Sequence, residues 1–255
     1  MDDRNELSEY VLSQREAGLM TQASVVADRC SDQNAVRHLR QGFYRRVLYL
    51  RDNRFHIRQV VEENDGNPLG VYVATDLNIH LNSFYIHLRG ALDNLAWALN
   101  LEILLLPGVD EDNPRSRGNC YLFGNKFITA LEKHHPAAAA AISAHRDWEQ
   151  DFKSRRDPIA HRIPLYAVHA VANEREAEGV RELQRKAGEA IAAKEFHRGV
   201  ELIHEASQLG RYEPWLVEST TDGLRIRHLP RQMAWDSQNF VEVCEPVLVA
   251  LTGGD

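Results

Sequence analysis

Residues 76–105 read DLNIHLNSFYIHLRGALDNLAWALNLEILL, and this stretch decides the fold. With about 100° between successive residues of a helix, its apolar side chains fall on two opposite faces. The first face carries Leu77, Leu81, Phe84, Leu88, Leu92, Leu95 and Leu99, and the second carries Ile79, Ile86, Trp97 and Leu101. A helix that is apolar on two sides is typical of the centre of a bundle. The stretch therefore predicts a mainly α protein built around this helix.

Polar residues run between the two apolar faces of this helix. His80, His87 and Asn94 lie on one side, and Asn82, Arg89, Asp93 and Asn100 lie on the other. Polar groups held between packed faces need hydrogen-bond partners. Two interpretations stay open. Either Arg89 and Asp93, four residues apart, pair with each other on the surface, or the two stripes line a polar site.

Helical patterns also occur on both sides of the central stretch. Apolar residues at three- and four-residue spacing predict a long helix from Ser31 or Asp32 to residue 63. Arg54 lies inside that stripe, where it either extends to solvent or points into a polar pocket. The further elements follow in order: helices at 126–134 and 136–154, a strand-like segment at 165–172, a helical hairpin at 173–209, a β-hairpin at 214–229 and a final helix at 236–251.

These elements predict an antiparallel helical bundle with a C-terminal helical hairpin and a small β element. We divide the chain into an N-terminal helical segment at 1–30, the bundle at 31–165 and a C-terminal extension at 166–255 that packs on the bundle. With 255 residues and 44% apolar content, the chain can bury one large core.

The composition indicates a soluble protein of a reducing compartment. Cys30, Cys120 and Cys244 form no CxxC pair, so neither a disulfide framework nor a thiolate zinc site is expected. The acidic opening MDDRNELSEY is unlike a secretory signal, and the apolar tract at 101–108 is too short to span a bilayer. We therefore expect a cytoplasmic location and no membrane partner.

The charge of the chain is negative overall but uneven. The net charge of −7 argues against a protein that wraps long nucleic acid. Residues 31–60 nevertheless carry seven arginines against two aspartates. This local excess is either a solvated helix face or a basic groove for a short anionic ligand.

A cluster of charges and prolines, RRDPIAHRIPLY at 155–166, lies between two helical tracts. Asp157 followed by Pro158 is a favourable helix start, since aspartate caps helices and proline suits their first position. A helix that begins there places Arg156 just outside it and His161 about one turn inside. Both side chains can then approach one anionic group near the positive helix end.

Other histidines also follow an arginine at this spacing, but in different local structure. Arg51 and His56 lie within one predicted helix, where five residues separate side chains by about 140°. They cannot converge within one chain. The predicted elbow at Asp157 and Pro158 is what distinguishes Arg156 and His161.

A helical bundle that carries Arg156, Asp157 and His161 as RxxxxH resembles the HEPN superfamily. The stretch LRGALDNLAWAL at 88–99 also resembles the long helix of HEPN-like bacterial proteins of unassigned role. The resemblance covers roughly residues 30–165. It implies a metal-independent endoribonuclease that acts as a homodimer without a cofactor, in a toxin-antitoxin or phage-defence setting.

The resemblance also implies roles for individual residues. His161 is the expected proton acceptor, Arg156 stabilises charge at phosphorus, and Asp157 orients Arg156 or caps the helix. The partner chain's copy of the same histidine supplies the second proton-transfer group, which makes the dimer a requirement. The candidate RNA-phosphate ligands are Arg155, Arg162, Arg54 and Arg89, and the candidate supporting polar residues are Asp93, Asn94 and His87.

Three alternatives remain open at this point. In the first, the motif is purely structural, with Arg156 paired to Asp151 or Asp93. In the second, the chain is a non-catalytic HEPN-like dimeric module that binds RNA, a nucleotide or a protein partner such as an antitoxin or defence protein. The third and most remote alternative is a carboxylate/His metal bundle that uses the ExxH pairs Glu132/His135 and Glu201/His204.

Overall fold

The computed structural model describes residues 8–253 except 65, 105, 114, 115, 117, 162, 221 and 222, and describes residues 157–161 by their helical backbone alone. The elements in chain order are α1 (Glu9–Ala27), α2 (Gln33–Arg37), a π-helical turn (His38–Phe43), α3 (Tyr44–Glu63), α4 (Val71–Leu99), a second π-helical turn (Asn100–Leu104), α5 (Asn125–His134), α6 (Pro136–Ala144), α7 (Arg146–His161), β1 (Tyr166–Ala167), α8 (Glu174–Ala192), α9 (Phe196–Ser207), β2 (Trp215–Thr220), β3 (Gly223–His228) and α10 (Leu229–Leu251). The predicted mainly α fold with a small β element is confirmed. None of the helices in the described part of the chain is long and apolar enough to cross a membrane.

The chain divides into two compact units. Unit 1 contains Met1–Arg54, Ser83–Pro164 and Arg231–Asp255, and unit 2 contains Phe55–Asn82 and Leu165–Pro230. The predicted segments 1–30, 31–165 and 166–255 do not follow this division. Long helices such as α3 and α4 supply residues to both units, which a division by chain position cannot represent.

The first apolar face of α4 is buried as predicted, and the second is buried only in part. In unit 1 the leucines and phenylalanine from Phe84 to Leu99 on the first face have almost no exposed surface. On the second face Trp97 is buried, whereas 46% of Ile86 is exposed. Ile79, in unit 2, is 61% exposed. The prediction of two buried faces is therefore wrong for these two isoleucines, because periodicity shows which residues align but not whether a partner covers them.

Unit 1 contains a close approach between the segment after α2 and helix α4. A Cβ atom on Gly42 would lie 1.9 Å from Asn94 Oδ1, and one on Gly90 would lie 2.3 Å from Arg46 Cζ. Only glycine permits this spacing. Asp32 caps α2 as predicted, by accepting hydrogen bonds from the amides of Asn34 and Ala35. The predicted single helix at 31–63 is interrupted, however, by the π-helical turn at His38–Phe43.

Unit 2 contains an antiparallel sheet of order β1-β2-β3. Tyr166, Val217 and Ile226 are directly opposite one another and share one face. Their neighbours Ala167 and Leu216 lie on the other face and are buried. The predicted β-hairpin at 214–229 is confirmed by β2 and β3, whereas the strand expected at 165–172 shortens to the two residues of β1.

The predicted helical hairpin at 173–209 is confirmed by α8 and α9 in unit 2. Asn173 and Glu176 form a reciprocal capping box at the start of α8. Lys194, at φ 67°, turns the chain between the helices, near the predicted break. The two helices share a small core that includes Ala187, Ala190 and Leu202.

The limits of two helices differ from the prediction at prolines. Helix α10 begins at Leu229 instead of 236, because Pro230 falls in its first turn, where a missing amide proton costs nothing. Helix α7 continues through Asp157 and Pro158 to His161, so the predicted helix start at Asp157 is wrong. The buried Phe152 and Arg155 anchor α7 just before this proline.

Candidate functional site

The polar stripes of α4 in unit 1 contact side chains of neighbouring elements. Arg46 Nη1 lies 3.4 Å from His87 Nδ1, and the Tyr49 ring packs against His87 at a centroid distance of 4.8 Å. Burial and then the positive charge of Arg46 lower the pKa of His87. A neutral imidazole of this kind accepts a hydrogen bond from the arginine, so His87 is held in place.

Asn94 belongs to a second group of contacts in the same unit. Its Oδ1 lies 3.0 Å from His38 Nδ1, and the ring of His38 stacks on Trp97 at 6.0 Å. Glu111 Oε1 lies 3.1 Å from His38 Nε2, an ion-pair contact rather than an aligned hydrogen bond. Both ring nitrogens of the buried His38 thus face oxygen atoms of other side chains, which fixes the orientation of the ring.

Arg89 and Asp93 pair with each other, as one of the two interpretations expected. Arg89 Nε lies 3.0 Å from Asp93 Oδ1, and its guanidinium stacks over the Tyr121 ring at 4.3 Å. The Tyr121 hydroxyl donates to the buried carboxylate of Glu149. Burial, followed by this hydrogen bond, raises the pKa of Tyr121. The nearby Cys120 thiol is also a poor nucleophile, because burial and the charges of Asp93 and Glu111 raise its pKa to about 12.

The predicted supporting residues are therefore brought together along α4, but as a closed polar network. His87, Asn94, Arg89 and Asp93 all have side-chain partners in unit 1. The close approach of Gly42 fills the space on one side of Asn94. This network specifies how the helices of unit 1 pack.

Arg155 lies at the centre of a buried network in unit 1. Its Nη1 donates to Asp151 and its Nη2 to Asp236, each at 2.7 Å, and the side chain has no exposed surface. Asp236 also accepts hydrogen bonds from Tyr85, Trp148 and Gln232. Arg155 was predicted to bind RNA phosphate, but two carboxylates occupy its guanidinium and no solvent reaches it.

Arg54, a second predicted phosphate ligand, is also buried in unit 1. It donates to both oxygens of Glu16, at 2.9 and 2.6 Å, and pairs with Glu9 at 2.9 Å. Burial, only partly opposed by the charge of Arg54, raises the pKa of Glu16 to about 7. The residue points into a polar pocket, as one interpretation expected, but that pocket holds acidic side chains of α1 and not a phosphate.

The predicted catalytic residues occupy the end of α7. Arg156 is half-buried, and the side chains of Asp157 and His161 and the whole of Arg162 lie outside the described residues. Since α7 is one continuous helix, Arg156 and His161 are separated by about 140° around its axis. This is the same separation as for Arg51 and His56. The elbow that would let Arg156 and His161 reach one phosphate is absent.

The described ranges contain no group of three or more His, Cys, Asp or Glu side chains that could hold a metal ion, so they do not support the metal-bundle alternative. Glu201 of one predicted ExxH pair instead contacts Arg198 at 3.1 Å and His197 at 3.3 Å.

An apolar groove of about 810 Å³ lies in unit 2 beside the α8–α9 hairpin. Its α8 wall is made mainly by small and aliphatic residues, with Arg181 and Gln184 as its polar members; the former are Ala177, Val180, Ala187, Gly188 and Ile191. Its α9 wall is made by Ile203, Ala206 and Ser207. The remaining lining residues are Val71, His169, Ala170, Ala172 and Leu209. A mostly apolar concave surface with few polar groups is the usual form of a binding site.

Arg181 is the charged side chain that lines this groove. Other basic residues of the hairpin are paired, with Arg185 and Lys186 on Glu182 and Arg198 on Glu201. Arg181 by contrast has neither an ion pair nor a side-chain hydrogen bond among the described residues. It therefore offers an open cationic group at the edge of an apolar surface.

The hairpin was predicted from the sequence, but the groove beside it was not. The signal was present as small and aliphatic residues at three-, four- and seven-residue spacing from Ala177 to Ile191. That pattern alone is equally typical of a helix buried by its own protein.

None of the protein-family models, curated proteins or solved structures compared with the chain matches it. The resemblance to the HEPN superfamily therefore stays a prediction that rests on the RxxxxH motif and the α4 stretch.

Proposed function

We propose that this protein is a non-catalytic binding module whose groove in unit 2 receives an amphipathic helix of a protein partner. The observation that carries the proposal is the apolar groove of about 810 Å³ along the α8–α9 hairpin. Of the binding partners considered from the sequence, a protein suits these apolar walls better than RNA or a nucleotide does. Phosphates require several open cations, whereas Arg181 is the charged residue that lines this groove.

The dimensions of the groove suit one face of a helix. Its α8 wall runs from Ala177 to Ile191, which is about 21 Å at 1.5 Å per residue. A wall of this length matches about four turns of one helix face. Helices bind in this way when they lay apolar residues at i, i+3 or i+4, and i+7 into a groove.

The charge of the groove specifies the partner further. Arg181 lies at its edge without an acidic partner among the described residues. An acidic residue beside the apolar row of the bound helix supplies the missing partner. The preferred ligand is therefore an acidic amphipathic helix.

Binding explains the described residues better than RNA cleavage does. The ribonuclease hypothesis requires a base and a phosphate-binding arginine that converge, but α7 separates Arg156 and His161 by about 140°. Two of its predicted phosphate ligands, Arg54 and Arg155, are already paired with buried carboxylates. The ribonuclease hypothesis stays a prediction for which RNA cleavage is the test.

The test uses two fluorescein-labelled synthetic helical peptides. Both carry leucines at i, i+3 and i+7. The acidic peptide has glutamates beside that row, and the basic peptide has lysines at the same positions. We expect the acidic peptide to bind the full-length protein with a dissociation constant of about 1–100 µM and the basic peptide to bind at least about tenfold more weakly, as measured by fluorescence anisotropy.

The matched variants are Gly188→Gln and Gly18→Gln. Both glycines lie in helices, and a Cβ added at either position meets nothing within 4 Å. Gly188 lines the groove, whereas Gly18 lies on α1. We expect Gly188→Gln to weaken acidic-peptide binding by about tenfold or more and Gly18→Gln to leave it unchanged. Equal binding of both peptides, or equal binding by both variants, would exclude the groove as the site.

A further inference from the structure

We infer that the helix received by the groove is α9 of a second copy of this chain, an inference that rests on the proposed function. Helix α9 carries its own apolar row at Phe196, Val200 and Ile203, with the spacing that helix-in-groove binding requires. These side chains are 62%, 63% and 46% exposed. An exposed row of large apolar residues on a soluble helix marks an interaction surface.

The apolar row and the groove form one continuous surface of unit 2. Ile203 belongs to both, and Ser207, which also lines the groove, follows it by one turn on the same face of α9. The adjacent side of α9, about 100° around its axis at Gly199, Leu202 and Ala206, is the buried side that packs against α8. The hairpin therefore buries one side of α9 and leaves the next side open.

A two-fold axis parallel to the helices brings two such hairpins face to face. Helix α9 of each copy then lies over α8 of the other, and the same surface serves both copies. The result is a four-helix bundle in which Phe196, Val200 and Ile203 become buried. In this dimer each hairpin provides both a groove and the helix that fills the groove of the other copy. This explains why the apolar row of α9 extends beyond the groove of its own chain.

Length and charge suit this arrangement. Helix α9 has 12 residues, which is about 18 Å and fits within the groove of about 21 Å. Glu201, half-exposed, follows Val200 on α9 and lies about 100° around the helix from it, where it also contacts Arg198 and His197 of its own chain. It supplies a partner for Arg181 of the other copy. Residues 174–207 carry eight acidic and six basic side chains, a net charge of only −2, so two hairpins repel each other weakly.

The available area predicts a weak dimer. A face about 18 Å long and two helices, or about 20 Å, wide covers roughly 360 Å² on each copy. This is less than the ~800 Å² per partner of a standard stable interface. We therefore expect an association that depends on protein concentration, with a dissociation constant in the micromolar range.

The experiment is sedimentation velocity on the full-length protein from about 1 to 300 µM, a range that spans micromolar dissociation constants. We expect reversible dimerisation of the wild type, and a loss of about tenfold or more in affinity for Val200→Glu, Arg181→Glu and Glu201→Arg. The control is Leu48→Glu on α3, which also places a charge on an exposed apolar residue and should dimerise normally. An equimolar mixture of Arg181→Glu and Glu201→Arg should recover association, because one interface then pairs the two reversed charges.

The outcomes separate this inference from the proposed function. A wild type that stays monomeric at the highest concentration but still binds the acidic peptide refutes the second copy as partner and leaves the groove function intact. A monomer that binds neither peptide refutes both. A dimer that survives Val200→Glu, with circular dichroism showing an unchanged fold, uses another surface and also refutes the inference.

Discussion

Arg155→Ala is expected to destabilise the protein strongly, although the sequence predicted this residue to be a surface ligand for RNA. The substitution removes both ion pairs of a side chain that has no exposed surface. It leaves the carboxylate of Asp236 fully buried and without its cationic partner. Loss of one member of a buried ion pair costs about 3–5 kcal/mol. Asp236 retains donors from Tyr85, Trp148 and Gln232, so we expect the lower end, about 3 kcal/mol.

The assay is urea unfolding followed by circular dichroism, with Lys153→Ala as the control because Lys153 lies exposed on the same helix. A loss of about 3 kcal/mol corresponds to a melting temperature about 6–12 °C lower in a chain of this size. A double-mutant cycle with Asp236→Asn should give a coupling of about 1–3 kcal/mol between the two residues. If the free energies of unfolding of Arg155→Ala and Lys153→Ala differ by less than about 0.5 kcal/mol, the structural role assigned to Arg155 is wrong.

Three further predictions test other parts of the molecule. The purified protein should cleave no mixed RNA with or without a chelator; chelator-resistant cleavage that disappears in His161→Ala and Arg156→Ala would restore the ribonuclease hypothesis. Glu16 has its folded pKa raised to about 7, so its contribution to the free energy of unfolding is present below its unfolded pKa of 4.5 and is lost as the pH rises through 7. Relative to Glu16→Gln, the wild type should therefore lose roughly 2–3 kcal/mol between pH 5 and pH 8 in urea titrations, and parallel profiles would contradict this. Gly42→Ala should cost about 1–3 kcal/mol, because the new methyl overlaps Asn94, whereas Gly18→Ala should stabilise α1 by about 0.5–1 kcal/mol; equal melting temperatures would disprove the close approach.

Whether the role of a site residue could be predicted depended on how far along the chain its interaction partner lies. Arg89 and Asp93 pair four residues apart on α4, and that contact was one of two interpretations available from spacing alone. The partners of Arg155 and Arg54 include Asp236 and Glu16, which are 81 and 38 residues away. No local pattern identifies such partners, so two buried structural arginines were predicted to be phosphate ligands.

The motif at the end of α7 illustrates a second limit. Asp157 and Pro158 have strong preferences for a helix start, and from them the elbow was predicted. Helix α7 continues through both residues because the buried Phe152 and Arg155 hold it in place ahead of them. Packing of the preceding turns overrode a local preference, and the geometry proposed for Arg156 and His161 was lost with it.

The sequence by itself determined the mainly α fold, the buried leucine face of α4, the α8–α9 hairpin and the β-hairpin. These features follow from helical periodicity and turn residues, which act over a few residues of chain. Only the tertiary structure decided that Ile79 and Ile86 are exposed, that Arg54 and Arg155 are buried, and that an apolar groove lies beside Arg181. Burial and pairing depend on which distant segment covers a face, and a one-dimensional pattern does not contain that information.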